Sequence, residues 1–443
     1  MSTHATPTTH PTHTWQNWAR VEGASPTSVA RPRSPEEVVD LVVAARERGA
    51  TLKPVGAGHS FTAIAATDGI QVDVGALSGV LEVDAERGRV RLGAGTHLHE
   101  LPALLAPHGL ALENMGDIDR QTIAGATSTG THGTGARFGG LATQLVGVTL
   151  VTGAGELLTV SEEENAELLP AVRLGLGALG VLVDVTVQCV PAFLLRAHES
   201  SAGLDEVLDD AGWFTAPDHA ECYWWPGTDR VQTKINTRLP LDTPYTPPGA
   251  LGRWVDQRVV QNGALVVMSE VARLAPATTL PLNRLATKVL GEKTYTDRSY
   301  AVFTSPRDVR FRECEYAVPR EALPEVVRAL RDLVEREGWR ISFPVELRVA
   351  AADDVWLSTA YQRDSAYVAV HRYWKEDHLP YFRAVDALMR EFEGRPHWGK
   401  IHFQDAESLA RVHPRLGDFQ ALRDRLDPDR VLANDYLRRV LGD

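Results

Sequence analysis

Between residues 25 and 195, apolar and polar positions alternate in short blocks of two periods. Val29-Ala-Arg-Pro32 is a short extended piece, and Ser34, Pro35 and Glu37 then supply an N-cap, a first-turn proline and capping-box spacing. Val38, Val39, Leu41, Val42 and Ala45 form one helical stripe that Gly49 stops. Thr51 to Val55 and Ile70 to Val74 read as strands, Val80 to Gly95 as a hairpin, and Thr96 to His108 as a helix. A second hairpin, Leu145 to Val151 with Leu157 to Val160, crosses Gly153-Ala-Gly155. Val181 to Val190 closes this unit as a strand.

From about 196 to 290 the periodicity is poor, and the proline-rich 240–252 reads as a loop or linker. Order returns with strand Phe311 to Val318, helix Glu321 to Glu337, strands Arg340 to Ala350 and Tyr367 to Tyr373, and helix Leu379 to Glu393. Lys400 to Phe403 follows as a further ordered piece. Strands separated by amphipathic helices predict an antiparallel sheet covered on one face. The expected division is 15–195, 196–425, and a C-terminal segment 426–443.

Length favours two cores, because 443 residues exceed what one usually holds. A net charge of −12 argues against binding nucleic acid or anionic membrane through a broad basic surface. Cys189, Cys222 and Cys314 are odd in number and far apart, which suits buried free thiols better than disulfides or zinc. Residues 1–13 lack a basic start and an apolar stretch, and no apolar run approaches the roughly 20 residues of a membrane span. A cytoplasmic protein is expected.

Two glycine-rich stretches carry the candidate chemistry. Pro54-Val-Gly-Ala-Gly-His-Ser-Phe61 ends a strand and opens a turn whose bare N–H groups suit an anion, with His59 directly after it. Alone, this octapeptide is a glycine turn with a solvated histidine. The second stretch, residues 117–135, is dense in small hydroxyl residues and glycine and contains Thr129-Gly-Thr-His-Gly133. A third glycine cluster, Gly175-Leu-Gly-Ala-Leu-Gly180, matches a dinucleotide fingerprint, but it follows a helix-like segment (Glu163 to Leu174) and precedes a strand. That is the reverse of the required order, so nicotinamide binding of the Rossmann kind is rejected. His97 and His99 lie two apart before a helix and so face different ways, and His397 with His402 lack a carboxylate at ligand spacing, so no metal site is expected.

The first two stretches together resemble the flavin domain of the vanillyl-alcohol oxidase superfamily, closest to its sugar-1,4-lactone oxidase and alditol oxidase group. The resemblance implies an α+β chain: a two-subdomain PCMH-type FAD-binding domain plus an α+β substrate (cap) domain whose antiparallel sheet is covered by helices. It implies FAD joined covalently to His59. Gly56, Ala57, Gly58, His59, Ser60 and Phe61 would cradle the pyrophosphate. Gly125, Thr127, Ser128, Thr129, Thr131 and Gly133 would line the isoalloxazine and ribityl chain, and the Val181 backbone would meet the adenine side. His132 either contacts flavin or satisfies loop carbonyls.

In the second half, Glu346 and Arg348 lie two apart on a strand and so share a face. Such a pair is usually an exposed ion pair worth little. The order Glu346-x-Arg348, His371, then His397-Trp-Gly-Lys400 resembles the active site of the same oxidases. By that likeness Arg348 and Lys400 bind substrate hydroxyl and flavin charge, His397 adds to the substrate site, and Glu346 orients the substrate. Glu346 or His371 accepts the proton. The implied activity is oxidation of a hydroxyl of an aldono-1,4-lactone (L-gulono or D-arabinono type), or of an alditol, with O2 or another acceptor taking the electrons.

Overall fold

The computed structural model describes residues 13–289 and 291–443. The N-terminal half holds a three-stranded parallel sheet (Ser28–Ala30, Ile70–Asp73, Leu52–Val55) and a five-stranded antiparallel one. The latter runs Leu157–Ser161, Leu145–Thr152, Gly180–Gln188, Arg89–Gly93, Val80–Asp84. Helix Pro35–Glu47 begins as its sequence dictates, with Ser34 Oγ accepting from the Glu37 N–H, and buries Val38, Val42 and Ala45.

The second half is built on one eight-stranded antiparallel sheet. Its order is Lys293–Arg298, Phe193–Gly203, Arg230–Pro240, His219–Trp224, Val345–Ala350, Ser365–Tyr373, Phe311–Pro319, Arg395–Pro396. Helices Leu323–Arg336 and Leu379–Glu391 cover one face, packing Val326, Val327, Leu330, Phe382 and Val385 against Cys222, Cys314, Leu347, Val349 and Val370. The three cysteines are free and buried.

Four expectations change. Three of the eight strands lie where the periodicity was poor and a fourth, Lys293–Arg298, just beyond it, because strands such as Phe193–Gly203 and Arg230–Pro240 carry Arg, His, Glu, Ser, Lys and Asn on a half-covered face. Their partners along the sheet, not their own pattern, set their register. The strand expected over Arg340 to Ala350 begins only at Val345, and Lys400 to Phe403 is irregular backbone. The helix expected over Glu163 to Leu174 is reduced to short turns, Ala166–Leu168 and Leu169–Val172.

The C-terminal residues pack on the glycine turn's strand. Leu52 N–H donates to Val431 O, Lys53 Nζ donates to Leu432 O, and Asn434 Nδ2 donates to the carbonyls of Ala63, Ile64 and Ala66. Among the described residues no helix is long and apolar enough to cross a membrane.

Candidate active site

Strand alternation puts a charged face opposite the helices. Leu347, Val349, Cys314, Tyr316, Cys222 and Trp224 point into the helical core. Glu346, Arg348, Glu313, Glu315, Glu221 and Tyr223 therefore point the other way. With His371 (in register with Glu313) they form a polar cluster in which Glu221, Glu313, Glu315, Arg348 and His371 are buried. Arg348 is clamped between Glu346, at 2.5 Å, and Glu221, at 2.9 Å. This pair is buried, not the exposed ion pair that its spacing alone suggested.

Lys400 arrives from outside the sheet. Its segment docks on the glycine turn, where Phe61 N–H donates to Gly399 O at 2.7 Å and Thr62 Oγ1 donates to Trp398 O. Lys400 Nζ donates to Glu313, lies 4.0 Å from Glu315, and sits 5.1 Å from the Phe61 ring centre. His371 Nδ1 contacts Pro344 O at 2.9 Å, which fixes the proton there, while Nε2 lies 3.6 Å from Glu313. Burial opposes charge on His371, but the Glu313 contact prevails and its pKa is raised. Burial raises the pKa of Glu346, against the pull of Arg348.

Two adjoining cavities connect this cluster to the glycine turns. A cavity of 1140 Å³ is lined by Glu346, Arg348, His371, His397 and Lys400 together with His59, Ser60, Phe61, Thr129, Thr131 and His132. A smaller one, 90 Å³, is lined by Gly56, Ala57, Gly58, Gly125, Ser128 and the turn Leu176, Gly177 and Gly180. His59, Ser60, Gln121 and Thr129 line both. Gly58 has φ +67, and among the described residues the N–H groups of Ala57, Gly58, His59 and Ser60 make no hydrogen bond. A row of free donors in a glycine-lined recess fits a pyrophosphate.

His59 stacks on Trp18 with ring centres 5.6 Å apart, and no hydrogen bond engages its ring among the described residues. Burial, then Lys400, lowers its pKa to about 4, so the imidazole is neutral.

Three expected cofactor residues line neither cavity. Thr127 Oγ1 donates back to Ile123 O in its own helix, Gly133 packs against Asn114 and Met115, and the Val181 side chain is buried in the core beside the parallel sheet. His132 satisfies a loop carbonyl, as one of its two descriptions had it. It bonds Gly133 O and Glu315, stacks on Tyr367 at 3.6 Å, and faces the large cavity. The spacing of His397 and His402 reveals no ligand carboxylate, but the fold brings Glu315 to His132 and His397, with their ligand atoms within 4.8 Å. His132 Nε2 bonds Glu315, and His397 Nδ1 accepts from the Gly399 N–H. The Lys400 ammonium beside Glu315 further disfavours a cation there. His402 instead meets Tyr436 Oη at 3.0 Å.

Glu313, Glu315 and Glu221 were missed in the sequence. So was Asp117, which bonds Ser305 Oγ and pairs with Arg307 at 2.6 Å across the cavity lining. A signal existed for three of them, since Glu313-Cys-Glu-Tyr316 and Glu221-Cys-Tyr-Trp224 both alternate charge with apolar residues on strands.

Fold and site together define a flavin-dependent oxidoreductase. Residues 26–161 match the FAD binding domain family and residues 185–440 match the D-arabinono-1,4-lactone oxidase family. The chain is 44% identical to the L-gulono-1,4-lactone dehydrogenase of Mycobacterium tuberculosis, over 97% of this chain and 99% of that protein. It is 34% identical to the L-gulonolactone oxidase of Bos taurus (96% and 98% covered) and 31% to an alditol oxidase of Streptomyces sp. (96% and 98%). The cholesterol oxidase of B. sterolicum shares its fold, with a TM-score of 0.81 over all of both chains at 17% identity. The chain belongs to the D-arabinono-1,4-lactone oxidase family, the sugar-lactone group of FAD-dependent oxidoreductases.

The tight glycine turn makes one expectation concrete. A Cβ on Gly56 would lie 2.3 Å from Thr122 Oγ1. Gly56→Ala should therefore destabilise the protein by about 1–3 kcal/mol and lower its FAD content, as read by thermal unfolding and the flavin-to-protein absorbance ratio.

Proposed function

We propose that this enzyme oxidises a hydroxyl of an aldono-1,4-lactone of the L-gulono or D-arabinono type, using FAD attached through His59. The carrying observation is that the Glu346–Arg348 pair, His371 and Lys400 line the same cavity as His59, Ser60 and Phe61. Ala57 to Ser60 would hold the pyrophosphate, and Thr129, Thr131 and His132 would lie along the flavin. FAD bound there supplies a hydride acceptor for the carbinol carbon.

The residues divide the remaining work by charge. Arg348 and Lys400 bind substrate oxygen and stabilise negative charge that builds on reduction. His371, with Nδ1 held as a donor by Pro344 O and Nε2 facing Glu313, acts as a hydrogen-bonding cation. Glu346 is the proton acceptor, because burial makes its carboxylate more basic than an ordinary one. Identity to lactone-oxidising relatives exceeds that to the alditol oxidase, which favours lactones. A panel of aldonolactones and alditols tests this. Turnover confined to alditols would overturn the lactone assignment, and oxygen consumption in the same assay shows whether O2 is the acceptor.

The neutral, unbonded imidazole of His59 supports its role as the attachment point, since only an uncharged ring offers a lone pair. Acid precipitation should leave a yellow pellet, and His59→Ala should release its flavin to the supernatant. Quantitative release from the unaltered enzyme would sink the covalent link.

A further inference from the structure

The charged face of the large sheet continues past Glu346 and Arg348, and two rows of side chains cross it there. In the first row, Arg348, Glu221, Lys234, Glu199 and Lys293 lie on adjacent strands. Lys234 is in register with both Glu221 and Glu199, and Glu199 with Lys293. These charges answer one another. Glu221 meets Arg348 at 2.9 Å and Lys234 at 3.5 Å, Glu199 meets Lys293 at 3.1 Å, and Lys234 Nζ also donates to Val302 O at 2.8 Å.

The second row lies two residues along each strand and is neutral beyond Glu346. Tyr223 is in register with Glu346, and Gln232 with Tyr223. Strand alternation turns all three to the same side. Tyr223 and Gln232 both line the large cavity and are half-buried, and neither side chain makes a hydrogen bond among the described residues. Burial, then the carboxylates of Glu221 and Glu346, raises the pKa of the Tyr223 phenol well above its usual value, so it stays protonated. The phenol can therefore donate one hydrogen bond and accept others, and the Gln232 amide can do both as well.

Unpartnered polar groups in a wall whose charges are all paired call for a ligand that completes them. A substrate that displaces water from this wall must supply hydrogen bonds or leave both groups stranded. That selects a molecule with several hydroxyls over a simple alcohol. Strands stand about 4.8 Å apart, which sets Gln232 roughly 10 Å from Glu346 across the sheet. The row thus runs outward from the reacting hydroxyl along the length of a sugar-derived chain.

We propose that Tyr223 and Gln232 form a specificity subsite that holds the substrate's remaining hydroxyls while the reacting one lies at Glu346. Tyr223 takes the nearer hydroxyl, and Gln232, one strand further out, takes the one at the far end. The inference rests on the active site proposed above, and it holds for a lactone or an alditol alike.

Anaerobic stopped flow tests it, because the dependence of flavin reduction on substrate concentration separates an apparent Kd from a limiting rate. The probes are L-gulono-1,4-lactone and 2-hydroxy-γ-butyrolactone, which keeps the reacting hydroxyl and the ring but has no other hydroxyl. The parent should bind the first more tightly. Tyr223→Phe and Gln232→Leu should each raise its Kd about 10-fold, the worth of one hydrogen bond, and shift that of the bare lactone far less. An unchanged Kd in both variants would overturn the proposal. So would equal weakening of both lactones together with lost FAD or a lower melting temperature, which would make the pair structural. If no lactone reduces the flavin, the lactone assignment fails on its own. Xylitol and 1,2-propanediol then repeat the comparison, and a preference for xylitol that survives both substitutions would overturn the subsite.

Discussion

Replacing Lys400 with methionine should slow flavin reduction by about 10²-fold in anaerobic stopped flow, with FAD content unchanged. Lys400 sits among Glu313, Glu315 and the Phe61 ring, in a buried site whose low polarisability magnifies any charge effect. Removing one group that stabilises charge in a transition state costs about 3 kcal/mol. Arg348→Met has a similar expected effect on reduction, but it also leaves Glu346 and Glu221 without their shared cation. Stranding buried charge costs about 3–5 kcal/mol of stability; Lys400→Met strands Glu313 in the same way, so both variants should melt earlier than the parent. An unchanged reduction rate in either variant would remove that residue from the active site.

Glu346→Gln should lower kcat/KM by at least about 10²-fold, through loss of the proposed proton acceptor. Its stability cost stays well short of the roughly 3–5 kcal/mol of a stranded charge, because Arg348 keeps Glu221 at 2.9 Å. The pH profile carries the sharper information. A base works deprotonated, and burial raises the pKa of Glu346, so the rate should climb with pH above the ordinary carboxylate range and then level off. That acidic limb should vanish in Glu346→Gln and persist in His371→Ala. If it persists in the first and vanishes in the second, His371 is the base. A Glu346→Gln enzyme with full activity and lost stability would make the Glu346–Arg348 pair structural.

Much of the site was legible wherever local pattern decides geometry. Strand period placed Glu346 and Arg348 on one face, and the Gly56 to Phe61 turn could be identified from glycine spacing. The rest depends on pairings that local pattern does not encode. Glu313 meets Lys400 across 87 residues, and Glu315 meets His132 across 183. Those contacts build the buried network around what looked like a surface pair. The strands between 193 and 298 stayed hidden for the same reason, their half-polar faces being stabilised by sheet neighbours.

Mixing the oxidised, FAD-loaded enzyme anaerobically with L-gulono-1,4-lactone or D-arabinono-1,4-lactone tests the central claim most directly. The yellow flavin absorbance should bleach in a single substrate-dependent phase, roughly 10²-fold more slowly in Lys400→Met. A flavin that stays oxidised with every lactone offered, in enzyme whose FAD is fully bound, would contradict the account.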